Sequence, residues 1–268
     1  MREIIGIFGV PRSGTSWLGQ IFNSSPETRF YYQPMFTEKY RDKINPRSSA
    51  DEMKVFFQEM YDSEEDFLSQ NDNRAKGKQL FFKKTSQDYL VFKEIMYLYM
   101  IPRFMRNLEH MKTIIILRNP CDVLASWYNA PKEFNPEWNI GEEWEFAASK
   151  NWFLPERYYG YYKWKEFIAL TCVLLKEFPH RVFIVRYEDL NENPVLWAEK
   201  MFAFCHLNMT KQTNQFILES RSRTEEDPYS VFKKFNSSRS NMKPLPHSIV
   251  GKIRSDLEEF ESCKRWGY

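Results

Sequence analysis

The stretch Gly9-Val10-Pro11-Arg12-Ser13-Gly14-Thr15-Ser16-Trp17 concentrates groups that bind an oxyanion. Glycines let backbone amides approach a ligand closely. Thr15 and Ser16 add hydroxyl donors, and Arg12 adds a cation whose charge is fixed. A helix that starts just after Gly14 turns its unpaired amides, and roughly half a positive charge, toward the same anion. The Gly9-x4-Gly14 spacing equals that of a nucleoside-triphosphatase phosphate loop, but that loop continues with Lys and Ser/Thr. Here Thr15-Ser16 follow, and the cation sits earlier, at Arg12. This disfavours an ordinary ATPase or GTPase.

A second constellation runs from Ile114 to Ser126. Arg118 follows the apolar run Ile114-Ile115-Ile116-Leu117, at the carboxyl end of what reads as a buried strand, where open α/β sheets bind ligands. Asn119 caps the next helix, Pro120 occupies its first position, and Asp122 is placed to close its start. Ser126 then lies about two turns in. Arg118 and Ser126 together can hold a second anion; taken alone, Arg118 suits a structural ion pair equally well.

The elements that must position these groups alternate along the chain. Ile4 to Phe8 is a short apolar run suited to a strand covered on both faces. Trp17, Leu18, Ile21 and Phe22 fall at helical spacing after it. The pattern predicts further strands over 28–32, 78–83, 113–117 and 181–186. It predicts helices over 48–70, 89–109, 142–178, 194–206 and 247–260, with Pro102 kinking or splitting the second and Pro155 breaking the third. Residues 221–246 are polar and irregular, a kind of segment that often serves function. Buried strands alternating with helices imply an α/β fold: one open, mostly parallel sheet flanked by helices, in a single domain over 1–268.

Composition narrows the partners. The net charge of +2 is too small to suggest nucleic-acid binding. No apolar stretch approaches the ~18 residues of a membrane span, and the start does not read as a secretory signal. Cys121, Cys172, Cys205 and Cys263 show no metal-like spacing and read as free thiols in a reducing compartment, so a cytoplasmic location is expected. The 23 Phe, 15 Tyr and 8 Trp mostly serve a bulky core, though some can line a pocket for a flat or apolar acceptor.

The two constellations together resemble the nucleotide-binding signatures of the sulfotransferases that use 3′-phosphoadenosine 5′-phosphosulfate (PAPS). Pro11 to Trp17 fits that family's amino-terminal loop, and Arg118 to Ser126 fits its Arg-Asn-Pro-x-Asp-x-x-x-Ser element. Arg186-Tyr187-Glu188-Asp189-Leu190 resembles its Tyr-Glu-Asp-Leu element. The resemblance implies a phosphate-loop-like α/β fold and transfer of a sulfuryl group from PAPS to a hydroxyl of a small-molecule or carbohydrate acceptor. It implies release of 3′-phosphoadenosine 5′-phosphate (PAP), and no metal. It assigns Arg12 to the 5′-phosphosulfate near the bridging oxygen, and Ser13, Gly14, Thr15 and Ser16 to the 5′-phosphate. Trp17 and Tyr187 would contact adenine, and Arg118 and Ser126 the 3′-phosphate. Ser237, Ser238 and Arg239 fall where the family places a further 3′-phosphate stretch.

The pattern also departs from the family. Cytosolic members carry a Lys-Thr-His triplet whose histidine is the general base; the matching place here reads Lys84-Thr85-Ser86. Lys84 is retained as a contact for the sulfuryl group, but serine is too weak a base. Carbohydrate sulfotransferases often carry Glu-Pro after the first helix; here the pair is Gln33-Pro34. The candidate bases are therefore Glu38 and Asp88, with His247 a third. An ATP-dependent small-molecule kinase and a PAP- or PAPS-binding module without catalysis are the rival readings.

Overall fold

The computed structural model describes residues 3–63, 65, 68, 81–222, 225, 227, 229–232 and 242–268. Five parallel strands form its sheet: β1 (Glu3–Phe8), β2 (Thr28–Tyr32), β3 (Tyr89–Glu94), β4 (Lys112–Leu117) and β5 (Val182–Arg186), in the order β2-β3-β1-β4-β5. Among the described residues the helices longer than one turn are α1 (Thr15–Asn23), α2 (Ala50–Tyr61), α3 (Ile101–Asn107), α4 (Pro120–Tyr128), α5 (Tyr161–Glu177), α6 (Tyr187–Glu192), α7 (Pro194–Phe204), α8 (Lys211–Ser222) and α9 (His247–Glu259).

The side-chain alternation of a strand divides the core in two. Ile5, Ile7, Ile114 and Ile116 join Leu18 and Ile21 of α1, Met201 of α7 and Phe216 of α8 on one face. Phe8, Ile115 and Leu117 join Phe56 of α2, Phe104 of α3, Trp127 of α4 and Trp164 of α5 on the other. A parallel strand covered on both faces is apolar through its centre, which is why β4 runs Ile-Ile-Ile-Leu from Ile114 to Leu117.

The strand order sets the site. After β1 the chain crosses by α1 to β2, on one side; after β4 it crosses by α4 and α5 to β5, on the other. β1 and β4 are neighbours, with Ile7 opposite Ile114 and Phe8 opposite Ile115. Two adjacent strands whose connections leave in opposite directions open a crevice at their carboxyl ends. The turn at 9–14 and Arg118 both emerge there.

Three expected elements are corrected, the first being the helix over 142–178: its long helix is α5 alone, preceded by single turns at Ile140–Glu143 and Ala148–Asn151 and by irregular chain over 152–160. Of the strand expected over 78–83, residues 81–83 belong to an irregular stretch that runs to 88, and 78–80 lie outside the described residues. The helix expected over 89–109 is instead β3 followed by α3, with Pro102 in the first turn of α3 rather than at a kink. A short apolar run such as Tyr89-Leu90-Val91-Phe92 carries no period that separates buried strand from buried helix; pairing with β1 and β2 on both sides decides it. The helix expected over 48–70 is described from Ala50 to Tyr61, where Ser49 and Glu52 form a reciprocal capping box.

Candidate active site

The turn after β1 is built around two unusual conformations. Arg12 has φ 71° and Gly14 has φ 96°, both in the left-handed region. Gly14 is required: a Cβ there would lie 2.5 Å from Cδ2 of Tyr187. Arg12 adopts that region despite its Cβ, a strain typical of functional turns. The backbone N–H of Ser13 donates to the Val10 carbonyl at 3.2 Å, closing the turn. α1 then starts at Thr15 with no side-chain cap, so its first-turn amides open on the cleft.

The second junction meets the first. The Arg12 guanidinium donates from Nε to Ser126 Oγ at 3.1 Å. Arg118 Nη1 donates to the Arg12 carbonyl at 2.9 Å. Arg118 also stacks over the Tyr187 ring, 4.3 Å from its centroid. Asn119 caps α4 by accepting from the Cys121 amide, and its own amide donates to Glu188 Oε1 at 2.8 Å. Glu188 Oε2 accepts from the Tyr268 hydroxyl. The β4 and β5 junctions are thereby tied together.

The two junctions line a cleft of about 150 Å³, partly open to solvent. Arg12, Gly14, Thr15, Ser16, Trp17, Arg118, Ser126 and Tyr187 all face it. Trp17 donates from its indole to Ser220 Oγ at 2.9 Å and meets Tyr187 edge to face at 6.4 Å. Ser13 is fully buried and its side chain does not reach the cleft. Ser237, Ser238 and Arg239 lie outside the described residues.

Four other expected positions fall elsewhere. Lys84 donates its ammonium to the carbonyls of Asn23 and Ser25, at the far end of α1, and does not line the cleft. Asp88 directly precedes β3. It therefore sits at the amino edge of the sheet, about 20 Å from the carboxyl edge along a six-residue strand. Glu38 and His247 are exposed and absent from the cleft lining.

The cation that does reach the cleft from β3 is Lys93. It pairs in register with Ile7 of β1 and Tyr32 of β2, at the carboxyl end of the sheet. Its ammonium lies 4.1 Å over the Tyr32 ring and 3.4 Å from Ser16 Oγ. A lysine in a buried run was the available signal, and reading the segment as a helix hid it. Arg221, over Trp17 at 5.2 Å, Tyr229 and Glu133 also line the cleft without a sequence motif to announce them. Glu133 pairs with Arg12 Nη1 at 3.3 Å.

Behind Lys93 the neighbouring Glu94 is fully buried. Its carboxylate accepts from the amides of Met35, Ile95 and Met96, fixing the Gln33-Pro34 turn against β3. Burial pushes its pKa from 4.5 up to about 7, against the pull of these amides and of Lys93. Among the described residues no group of three or more His, Cys, Asp or Glu is placed to hold a metal ion. No described helix is long and apolar enough to cross a membrane.

Two strand-to-helix junctions of one parallel sheet thus line a single crevice, and the family that the chain matches is the sulfotransferases. The chain belongs to that family: the family model described as the sulfotransferase domain matches residues 3–262. Three solved structures share the fold. A sulfotransferase from Alicyclobacillus acidocaldarius is 15% identical with TM-score 0.51, over 85% of this chain and 88% of its own. A retinol dehydratase, crystallised in complex with retinol and PAP, is 14% identical with TM-score 0.52, over 97% of this chain and 82% of its own. The sulfotransferase domain of the Synechococcus PCC 7002 olefin synthase is 14% identical with TM-score 0.50, over 99% of this chain and 94% of its own. A search of curated proteins found no match.

Proposed function

We propose that this protein transfers the sulfuryl group of PAPS to a hydroxyl of a small-molecule or carbohydrate acceptor and releases PAP. The observation that carries the reading is the convergence of both signatures on one crevice, through Arg12 Nε on Ser126 Oγ and Arg118 Nη1 on the Arg12 carbonyl. The residues present suit a nucleotide with two phosphate groups. Arg118 Nε is buried without a hydrogen-bond partner among the described residues, a donor that an incoming anion satisfies. The retinol dehydratase that shares the fold was crystallised with PAP, which agrees with this choice of nucleotide.

In this reading the α1 amides, Thr15 and Ser16 hold the 5′-phosphate. Arg118 and Ser126 hold the 3′-phosphate, and Trp17 and Tyr187 flank adenine. Arg12 and Lys93 stabilise the charge that gathers on the leaving oxygen. Lys93 takes the part first given to Lys84. No metal enters the reading, and its setting is the cytoplasm, away from nucleic acid and membrane. Calorimetry with PAP and turnover of PAPS test it. PAP bound in preference to ATP, with PAPS consumed, is the expected result; ATP bound in preference would point to a kinase, and PAP binding without any turnover to a binding module.

A further inference from the structure

Arg118 grips a phosphate best if its guanidinium is aimed before the ligand arrives. Two residues that do not line the cleft, Glu188 and Tyr268, are placed to aim it. β4 and β5 pair as far as Leu117 opposite Arg186. Beyond that pair both chains turn into helices, and the ladder of backbone hydrogen bonds stops. Two residues further on, the Glu188 carboxylate continues it: Oε1 accepts from the Asn119 amide at 2.8 Å. Asn119 follows Arg118 and Glu188 follows Tyr187, so this bond sets Arg118 and Tyr187 side by side. The guanidinium then lies 4.3 Å over the centre of the Tyr187 ring.

The second oxygen of Glu188 is held as well. Oε2 accepts from the Tyr268 hydroxyl at 3.0 Å. Burial, with the Glu188 charge beside it, pushes the pKa of that hydroxyl well above the usual tyrosine range, so it stays a donor. The Tyr268 ring meets Trp164 edge to face at 5.8 Å, and the Trp164 indole donates to the Arg118 carbonyl at 2.9 Å. Two residues earlier, the Trp266 carbonyl accepts from Arg186 Nη1 at 2.9 Å. Arg186 is itself clamped by both oxygens of Asp189. The segment 266–268 is thus pinned at the carboxyl end of β5, and Trp164 joins it to Arg118.

Resting on the donor reading above, we infer that Glu188 and Tyr268 are positioning residues for the 3′-phosphate: they aim Arg118, and neither touches the nucleotide. Glu188 fixes the backbone just after Arg118, and Tyr268 fixes the Glu188 carboxylate. The guanidinium spends Nη1 on the Arg12 carbonyl, and its Nε is buried without a hydrogen-bond partner among the described residues. A donor offered that narrowly depends on neighbours whose own side chains are locked. Tyr187 has supports of its own in Trp17, edge to face, and in the turn at Gly14. Loss of Glu188 or Tyr268 therefore falls on Arg118.

The test is calorimetry of PAP and of adenosine 5′-phosphate, which lacks the 3′-phosphate, on the unsubstituted protein and its variants. Tyr268→Phe keeps the ring against Trp164 and removes only the hydroxyl. It should weaken PAP binding about fivefold, the worth of one hydrogen bond. Glu188→Ala removes both bonds and should weaken it about twentyfold. Glu188→Gln keeps an acceptor for the Asn119 amide and should recover most of that loss. Adenosine 5′-phosphate should bind all of these equally well. Added to Arg118→Ala, Tyr268→Phe should change PAP affinity no further, because a residue that acts through Arg118 then has nothing to act on. PAP affinity unchanged in Tyr268→Phe and Glu188→Ala overturns the inference. So does an equal loss for adenosine 5′-phosphate, or a loss that persists on top of Arg118→Ala, since either marks a general loosening of the fold. Should Glu188→Ala fail to fold, Tyr268→Phe alone decides. If the unsubstituted protein binds PAP no more tightly than adenosine 5′-phosphate, the donor reading itself fails and takes this assignment with it.

Discussion

Arg12 Nε lies 3.1 Å from Ser126 Oγ, although 114 residues separate them in the chain. One belongs to the turn after β1 and the other to the second turn of α4. The contact exists because β1 and β4 are neighbours and their connections diverge. Arg12 is held in the left-handed region with its carbonyl clamped by Arg118, so its guanidinium is aimed before any ligand arrives. Preorganised charge costs little rearrangement when a transition state forms. Arg12→Ala should therefore lower PAPS turnover more than it lowers PAP affinity; equal losses in both, by kinetics and calorimetry, would indicate ground-state binding alone.

Arg118 should behave differently. In the proposed function its role is to hold the phosphate that does not react. Arg118→Ala should weaken PAP binding by about 1.5–3 kcal/mol, the worth of a charge-assisted hydrogen bond. Calorimetry reads this directly, and unchanged affinity would remove Arg118 from the site.

The two lysines separate a site role from a packing role. Lys93→Ala should cost on the order of a hundredfold in turnover, as loss of an oxyanion donor does. Lys84 holds the carbonyls at the end of α1, so Lys84→Ala should spare turnover and cost about 2 kcal/mol of stability. Steady-state kinetics and urea unfolding on both variants check the pair; the reverse pattern would restore Lys84.

This pair also shows what the sequence could carry. Gly9 to Trp17 and Arg118 to Ser126 are contiguous, and each packs a strand end, a turn and a helix start into about a dozen residues. Such motifs are legible because local chain geometry does most of the positioning. Lys84-Thr85 matches two residues of a family triplet by type, while the residue that reaches the cleft depends on which segment pairs with β1. Tyr89 to Glu94 has no distinguishing period, so that pairing was hidden. Glu133 and Arg221 reach the cleft only through tertiary packing, and nothing in their neighbours in sequence marks them.

Gly14 is testable as a conformational requirement. With φ 96° and a prospective Cβ 2.5 Å from Tyr187, Gly14→Ala should cost about 1–3 kcal/mol and displace a nucleotide contact. Thermal melting and PAP calorimetry should both register the change. A variant as stable and as competent in binding as the parent would mean that the turn relaxes freely.

Glu94 predicts a pH dependence. Its folded pKa, about 7, lies above the ordinary 4.5, so the folded chain holds a proton that the unfolded chain has released. Stability from this group is present below about pH 4.5, is lost as pH rises toward 7, and stays lost above it. The loss is about 3 kcal/mol as an order of magnitude. Urea unfolding at pH 5 and pH 8 should show a steeper decline for the parent than for Glu94→Gln. Equal slopes would contradict the burial argument.

The account stands on one adenosine bisphosphate held at both ends by the β1 and β4 junctions. The most direct measurement is calorimetry of PAP beside adenosine 5′-phosphate and adenosine 3′-phosphate, each of which lacks one phosphate. The account predicts that PAP binds one to one and at least about tenfold tighter than either, as the loss of one charged contact requires. Adenosine 5′-phosphate binding as tightly as PAP would show that the Arg118 junction takes no part and would contradict it.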